Sequence, residues 1–161
     1  MKKILFTTLL FSIVFISCNE SKKNTFETTV DEQQHEKEEI NNKENKINNN
    51  WIDDIELDDG LKWIANIETT QGVHAMLSEL NKSNPKTVED YISMANRLND
   101  EKNMVVKECT MKGPSHDNLH IFLLPLIEKI DLLLEITSPE EGMEITASIK
   151  ENLEAYTNYF K

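Results

Sequence analysis

The stretch CTMKGPSHDNLH, from Cys109 to His120, gathers the side chains of this chain best suited to chemistry. Cys109 is the only cysteine besides Cys18, and His116 and His120 are two of the four histidines. Four residues apart on a helix, the two imidazoles share one face with Cβ atoms about 6 Å apart. A thiolate, two imidazoles and the optional Met111 thioether form a soft-to-borderline donor set suited to copper or zinc. The same residues also suit a plain helix-to-helix turn. An inward cysteine behaves as a small hydrophobe and a methionine fills a gap at a hairpin. In that reading His116 is solvated and His120 bonds a backbone carbonyl. Cys-x-Met is no metal motif by itself, because residues two apart on a helix point in nearly opposite directions. A Cys109–His nucleophile would need oxyanion donors and a substrate cleft, and a slender bundle offers little cleft. No C-x-x-C-H occurs for haem attachment. The chain therefore reads as non-enzymatic.

These residues must be positioned by helices. Four glycines, four prolines and little β-branched alternation favour an all-α fold. A first helix is expected from about Asp59 to Leu80, capped by Asp58 or Asp59. Its inner face carries Trp63, Val73, Met76, Leu77 and Leu80, broadened by Ile64 and Ile67. His74 flanks that face. Thr87 and Asp90 form a variant capping box for a second helix. Its stripe is Val88, Tyr91, Ala95, Leu98, Lys102, Val105 and Cys109, a seven-residue repeat with one polar intrusion. A third helix is expected after the Gly113-Pro114 break, with Ser115 as cap. Its stripe is Leu119, Leu123, Leu126, Ile130 and Leu133, widened by Phe122, Ile127 and Leu134, with Pro125 interrupting one backbone bond. Ser138, Pro139 and Glu141 open a fourth helix that buries Ile145, Ile149, Leu153, Tyr156 and Phe160. Four such segments with short connections describe an antiparallel up-down four-helix bundle over 51–161. That topology places Cys109, His116 and His120 at one end and leaves His74 at the other.

The carboxylates of IDDIELDDGLKW invite a calcium loop, but the spacing fails. Counted from Asp54, Gly60 falls one place late, and Ala65 stands where a bidentate glutamate is needed.

The N-terminus indicates where the chain resides. Lys2 and Lys3 precede the apolar run ILFTTLLFSIVF, which is too short for a stable membrane span and suits an export signal over 1–17. The following FISC resembles the lipobox of bacterial lipoproteins, with Phe15 where that pattern prefers leucine. The resemblance implies cleavage before Cys18 and attachment of diacylglycerol and acyl chains to it. Each buried CH₂ contributes about 0.8 kcal/mol, so several chains anchor the protein without a transmembrane helix. Asn19 in place of aspartate points, by analogy with lipoprotein sorting, to the outer membrane facing the periplasm. Residues 18–50, rich in asparagine, lysine and glutamate, cannot bury enough apolar surface to fold. They read as a disordered tether with a reach of about 30 Å, or about 100 Å when stretched. His35 is a solvated side chain within it.

The formal charge is −12, and loss of the leader with Lys2 and Lys3 lowers it by two more. Such a chain repels phosphate backbones, which argues against nucleic acid as a partner. The C-terminal two-thirds resembles small exported helical proteins carrying the signature CTMKG..HD.LH. That likeness implies a common fold centred on the hairpin and no particular activity. The expectation is a lipid-anchored binding module holding copper or zinc at Cys109, His116, His120 and Met111. The rival is an envelope protein-interaction module, such as an inhibitor, immunity protein or complex subunit, with no metal.

Overall fold

The computed structural model describes residues 45–161, so the leader, Cys18, His35 and the tether up to residue 44 lie outside the described residues. The described chain is all-helical. A 3-10 turn, Asn50–Asp53, is followed by α1 (Ile67–Lys82), α2 (Val88–Glu108), α3 (Pro114–Leu134) and α4 (Pro139–Tyr159). Each helix packs on the next, α1 closes against α4, and α2 touches α4 more lightly.

The start signals of α2 and α4 act as their residue types demand. The Asp90 amide donates to Thr87 Oγ1 at 3.2 Å, and Asp90 Oδ2 accepts from the Thr87 amide at 3.1 Å. Backbone amides of Lys86 and Thr87 aimed at the Asp90 carboxylate hold it below the usual aspartate range. For α4, Ser138 Oγ accepts from the Glu141 amide at 3.3 Å, and Pro139 occupies the first turn, where its missing N–H does no harm. The apolar stripes of α2, α3 and α4 then meet in one core. Tyr91, Ala95, Leu98 and Val105 are buried with Leu119, Leu123, Leu126, Ile130, Leu133, Ile145, Ile149, Leu153, Tyr156 and Phe160. α3 runs through Pro125 without ending.

Three expectations are corrected. First, α1 begins at Ile67 rather than near Asp59, and neither Asp58 nor Asp59 caps it. The Asp58 and Leu61 amides each donate to the other's carbonyl at 2.9 Å, and the residues between, Asp59 and Gly60, have φ of 49° and 84°. Positive φ at both central positions is what a two-residue I′ turn requires, and Asp-Gly supplies it at little steric cost. Residues beyond this turn are extended instead of helical. The Trp63 amide donates to Tyr159 O at 2.7 Å, Lys161 N to Trp63 O at 2.9 Å and Ala65 N to Lys161 O at 3.0 Å. Ile64 and Ile67, expected in the core, are 73% and 65% exposed. Second, Gly113 at φ 65° caps α3 with Pro114 first in the helix, whereas Ser115 lies inside the first turn and donates to Lys112 O at 3.2 Å. Third, the folded unit starts before Trp51, because Ile47 packs against the core and Asn49 bonds to α4.

Two helix contacts are close enough to need glycine. A Cβ on Gly72 would lie 2.2 Å from Val105 Cγ2, and one on Gly142 would lie 2.6 Å from Tyr91 Cγ. Val105 is fully buried and β-branched, so it has essentially one rotamer available. Gly72→Ala is therefore expected to destabilise the fold by about 1–3 kcal/mol. In an exposed helix the same change stabilises by about 1 kcal/mol. Urea denaturation checks this against Gln71→Ala on the adjacent exposed position, which should move the midpoint little.

Candidate functional site

The segment from Ile47 to Asn66 connects the helix ends, and its attachment starts at Asn49. Asn49 Oδ1 accepts from Trp51 Nε1 at 3.0 Å and also from Lys129 Nζ, while Asn49 Nδ2 donates to Glu151 Oε2 at 3.1 Å. Lys129 Nζ donates in addition to Asn152 Oδ1 at 3.0 Å, and Ser148 Oγ bonds Ile47 O. Trp51 is buried, with its ring edge-on to Phe122 at 5.5 Å and to Tyr159 at 6.0 Å. Offset and edge-to-face rings at such separations are favourable beyond their area.

Lys129 has no exposed surface, and burial pushes its pKa down to about 8 although the Glu151 carboxylate favours the ammonium. Its folded pKa lies below its value near 10.5 in an open chain, so the folded state binds fewer protons between those values. The penalty for burying the ammonium is present in full below pH 8 and fades as pH rises toward 10.5. Stability is thus expected to rise by about 1–2 kcal/mol between pH 8 and 9.5. Burial raises the Tyr156 pKa, which works the other way only at higher pH, so the window below pH 9.5 isolates Lys129. Urea denaturation at pH 7.5, 8.5 and 9.5 measures the slope, and Lys129→Met should flatten it.

Past the 3-10 turn the segment reaches every neighbouring helix end. The Glu56 amide donates to Asn118 Oδ1 of α3 at 2.8 Å, and Trp63 Nε1 closes the loop onto Glu56 O at 2.7 Å. Residues 63–65 pair with 159–161 after α4, and Asn66 Nδ2 donates to Glu108 O at the end of α2 at 3.1 Å. The segment therefore covers the Cys109 to Pro114 end of the helices. Ile52, Leu57, Leu61 and Ile64 rise from this segment and Ile67 from the first position of α1 directly after it, and together they are five of the eight large exposed apolar residues among those described. Of the other three, Val106 lies in the last turn of α2, close to where Glu108 receives Asn66, and Leu124 and Met143 stand singly on α3 and α4. Clustered apolar exposure marks a contact surface, whereas scattered residues carry no such meaning. Sequence reasoning missed this face, placing Ile64 inside a helix and both Ile64 and Ile67 in the core.

The structure brings together part of the expected donor set. His116 and His120 face each other with ring centroids 4.4 Å apart, half-buried and exposed respectively. Cys109 is the C-cap of α2 in extended conformation, and its half-buried side chain packs against the core, as does that of Met111. Both sulfurs are used as apolar filling at the hairpin. Among the described residues no group of three or more His, Cys, Asp or Glu side chains is arranged to hold a metal ion. His74 is exposed on α1, beside Leu77, Ser78 and Asn81 and away from the hairpin. A shallow depression between α1 and α2 is bounded by Glu79, Lys82, Arg97 and Asp100, with Arg97 Nε donating to Glu79 Oε1 at 2.6 Å. That bond holds the Glu79 carboxyl below the usual glutamate range. Among the described residues no helix is long and apolar enough to cross a membrane. Comparison with protein-family models, curated proteins and solved structures finds no match for this chain.

Proposed function

We propose that this protein is a non-enzymatic interaction module of the bacterial cell envelope. In this reading Cys18 carries the lipid anchor in the outer membrane, residues 18–44 act as the spacer, and the four helices run up and down as an antiparallel bundle facing the periplasm. The working face is the end built by residues 52–67. The supporting observation is the concentration of exposed Leu57, Leu61, Ile64 and Ile67 along residues 57–67, a stretch fastened to α3 and to the end of α4 by the backbone of Glu56, Trp63 and Ala65 and to the end of α2 by the Asn66 side chain. A photo-cross-linking amino acid at position 64, installed in cells that carry the protein in their envelope, tests it. Adducts of higher mass are expected at position 64 and not at position 81, which lies exposed near the far end of α1. Equal adducts at both positions, or none at 64, would rule the reading out.

A second reading is favoured by the His116–His120 pair. Two facing imidazoles on one helix turn can chelate a copper or zinc ion from the surface. Titration of the full chain with copper or zinc checks it. Uptake should vanish in His120→Ala and persist in Cys109→Ser if the imidazoles alone are ligands. Loss in Cys109→Ser would bring back the three-ligand site, with Met111 as its optional fourth donor. Uptake unchanged in the double variant would end both.

A further inference from the structure

The face at residues 52–67 has an unpaired backbone edge as well as apolar side chains. In extended chain, the N–H and C=O of one residue point to the same side and successive residues point to opposite sides. Trp63 spends both of its groups, and Ala65 its amide, on residues 159–161. Lys62 and Ile64 must then direct theirs the other way, and among the described residues neither has a hydrogen-bond partner for its amide or carbonyl. An open edge of this kind is a template for another strand.

The segment's own charge is nearly one-sided, although Lys161, exposed on the stretch paired with Trp63 and Ala65, adds a cation beside it. Asp53, Asp54, Glu56, Asp58 and Asp59 are all exposed, Lys62 is the single cation of the segment, and among the described residues none of the five carboxylates is ion-paired. Leu61 and Ile64 supply apolar area at 63% and 73% exposure. Anionic lipid would be repelled here, whereas a cationic segment with apolar side chains on alternate positions matches both features.

Building on the interaction-module reading, we infer that the partner adds as an extended strand along Lys62–Ile64 and carries alternating basic and apolar residues. The I′ turn at Asp59–Gly60 holds the edge in register, and the pairing with 159–161 keeps it extended before the partner arrives. Preorganisation of this kind reduces the ordering cost of binding.

The test uses the full chain in detergent and a fluorescent octapeptide alternating lysine with valine. Saturable binding that weakens with added salt is expected, about tenfold weaker or more in Ile64→Asp and in Ile64→Pro. Ile64→Pro removes the Ile64 side chain and an amide the fold does not use, and Met143→Asp, an exposed apolar site near the start of α4 at the opposite end from Tyr159, should leave binding unchanged. The same peptide N-methylated on alternate residues leaves the protein untouched and should bind about tenfold more weakly as well. Equal binding of a glutamate–valine octapeptide, or of the N-methylated one, would overturn the proposal. So would a dimer of the chain in sedimentation that Ile64→Asp dissolves, because the occupant would then be a second copy. Position-64 cross-links that persist while the octapeptide neither binds nor competes would keep the interaction module and remove this partner class. Absence of both removes both.

Discussion

Replacing Trp51 with alanine is expected to cost about 3–5 kcal/mol of folding stability, the range for a fully packed aromatic. Trp51 is 5% exposed, meets Phe122 and Tyr159 edge-on, and anchors Asn49 through its indole N–H. Phe122 in turn contacts Tyr156 at 5.3 Å and Phe160 at 6.1 Å, so the void would open beside the ring cluster that carries the Trp63 pairing. Trp51→Phe keeps most of the packing and loses one hydrogen bond, so about 1 kcal/mol is expected. Urea denaturation gives both values. The effect should not be confined to stability. Hydrogen exchange in the Trp51→Ala chain should quicken first at the Trp63 and Ala65 amides, because the segment they belong to is fastened at its start by Trp51 and Asn49.

The second large effect concerns Lys129. Alanine there removes a fully buried four-carbon stem, at about 2–5 kcal/mol, and leaves the Asn152 oxygen without this donor, at about 1–3 kcal/mol, while Asn49 Oδ1 keeps the Trp51 indole N–H. Against this stands relief from burying a charge, about 3 kcal/mol from the fall in pKa to about 8. The net expectation is a loss of about 2–4 kcal/mol. Methionine fills the same space, so only the bonds and the charge differ, and these nearly offset one another. Lys129→Met should therefore lie within about 1 kcal/mol of the parent while abolishing the rise in stability above pH 8. Equal losses for alanine and methionine would mean that the hydrogen bonds, not the packing, decide the site.

Helical periodicity was readable where burial alone decides it. The stripes of α2, α3 and α4 follow from apolar residues at three and four spacings, and the Thr87 and Ser138 starts follow from side chains that satisfy free amides. Residues 59–66 were misread because Trp63, Ile64 and Ile67 keep helical spacing while the real backbone partners of Trp63 and Ala65 lie about a hundred residues later. Only the fold reveals that Tyr159 and Lys161 offer backbone groups to Trp63 and Ala65. One local signal was present all the same. Asp59-Gly60 is a strong two-residue turn sequence, and reading Asp59 as a helix cap discarded it. The Asn49–Lys129–Asn152 cluster carried no signal, since a lysine on an apolar stripe looks like any chain reaching for solvent. In the hairpin, sequence spacing correctly paired His116 with His120, because i and i+4 fixes that contact. It could not tell whether Cys109, beyond the helix end and set by backbone angles at the cap, would turn toward them. The cap is extended and the thiol packs on the core.

The most direct test of the binding face is amide hydrogen exchange on the full chain with and without the lysine–valine octapeptide. The Ile64 amide should exchange fast in the chain alone and slow markedly with peptide, while the Trp63 and Ala65 amides stay slow in both. Unchanged exchange at Ile64, with slowing at residues 116–120 instead, would contradict it and move the working surface to the histidine pair.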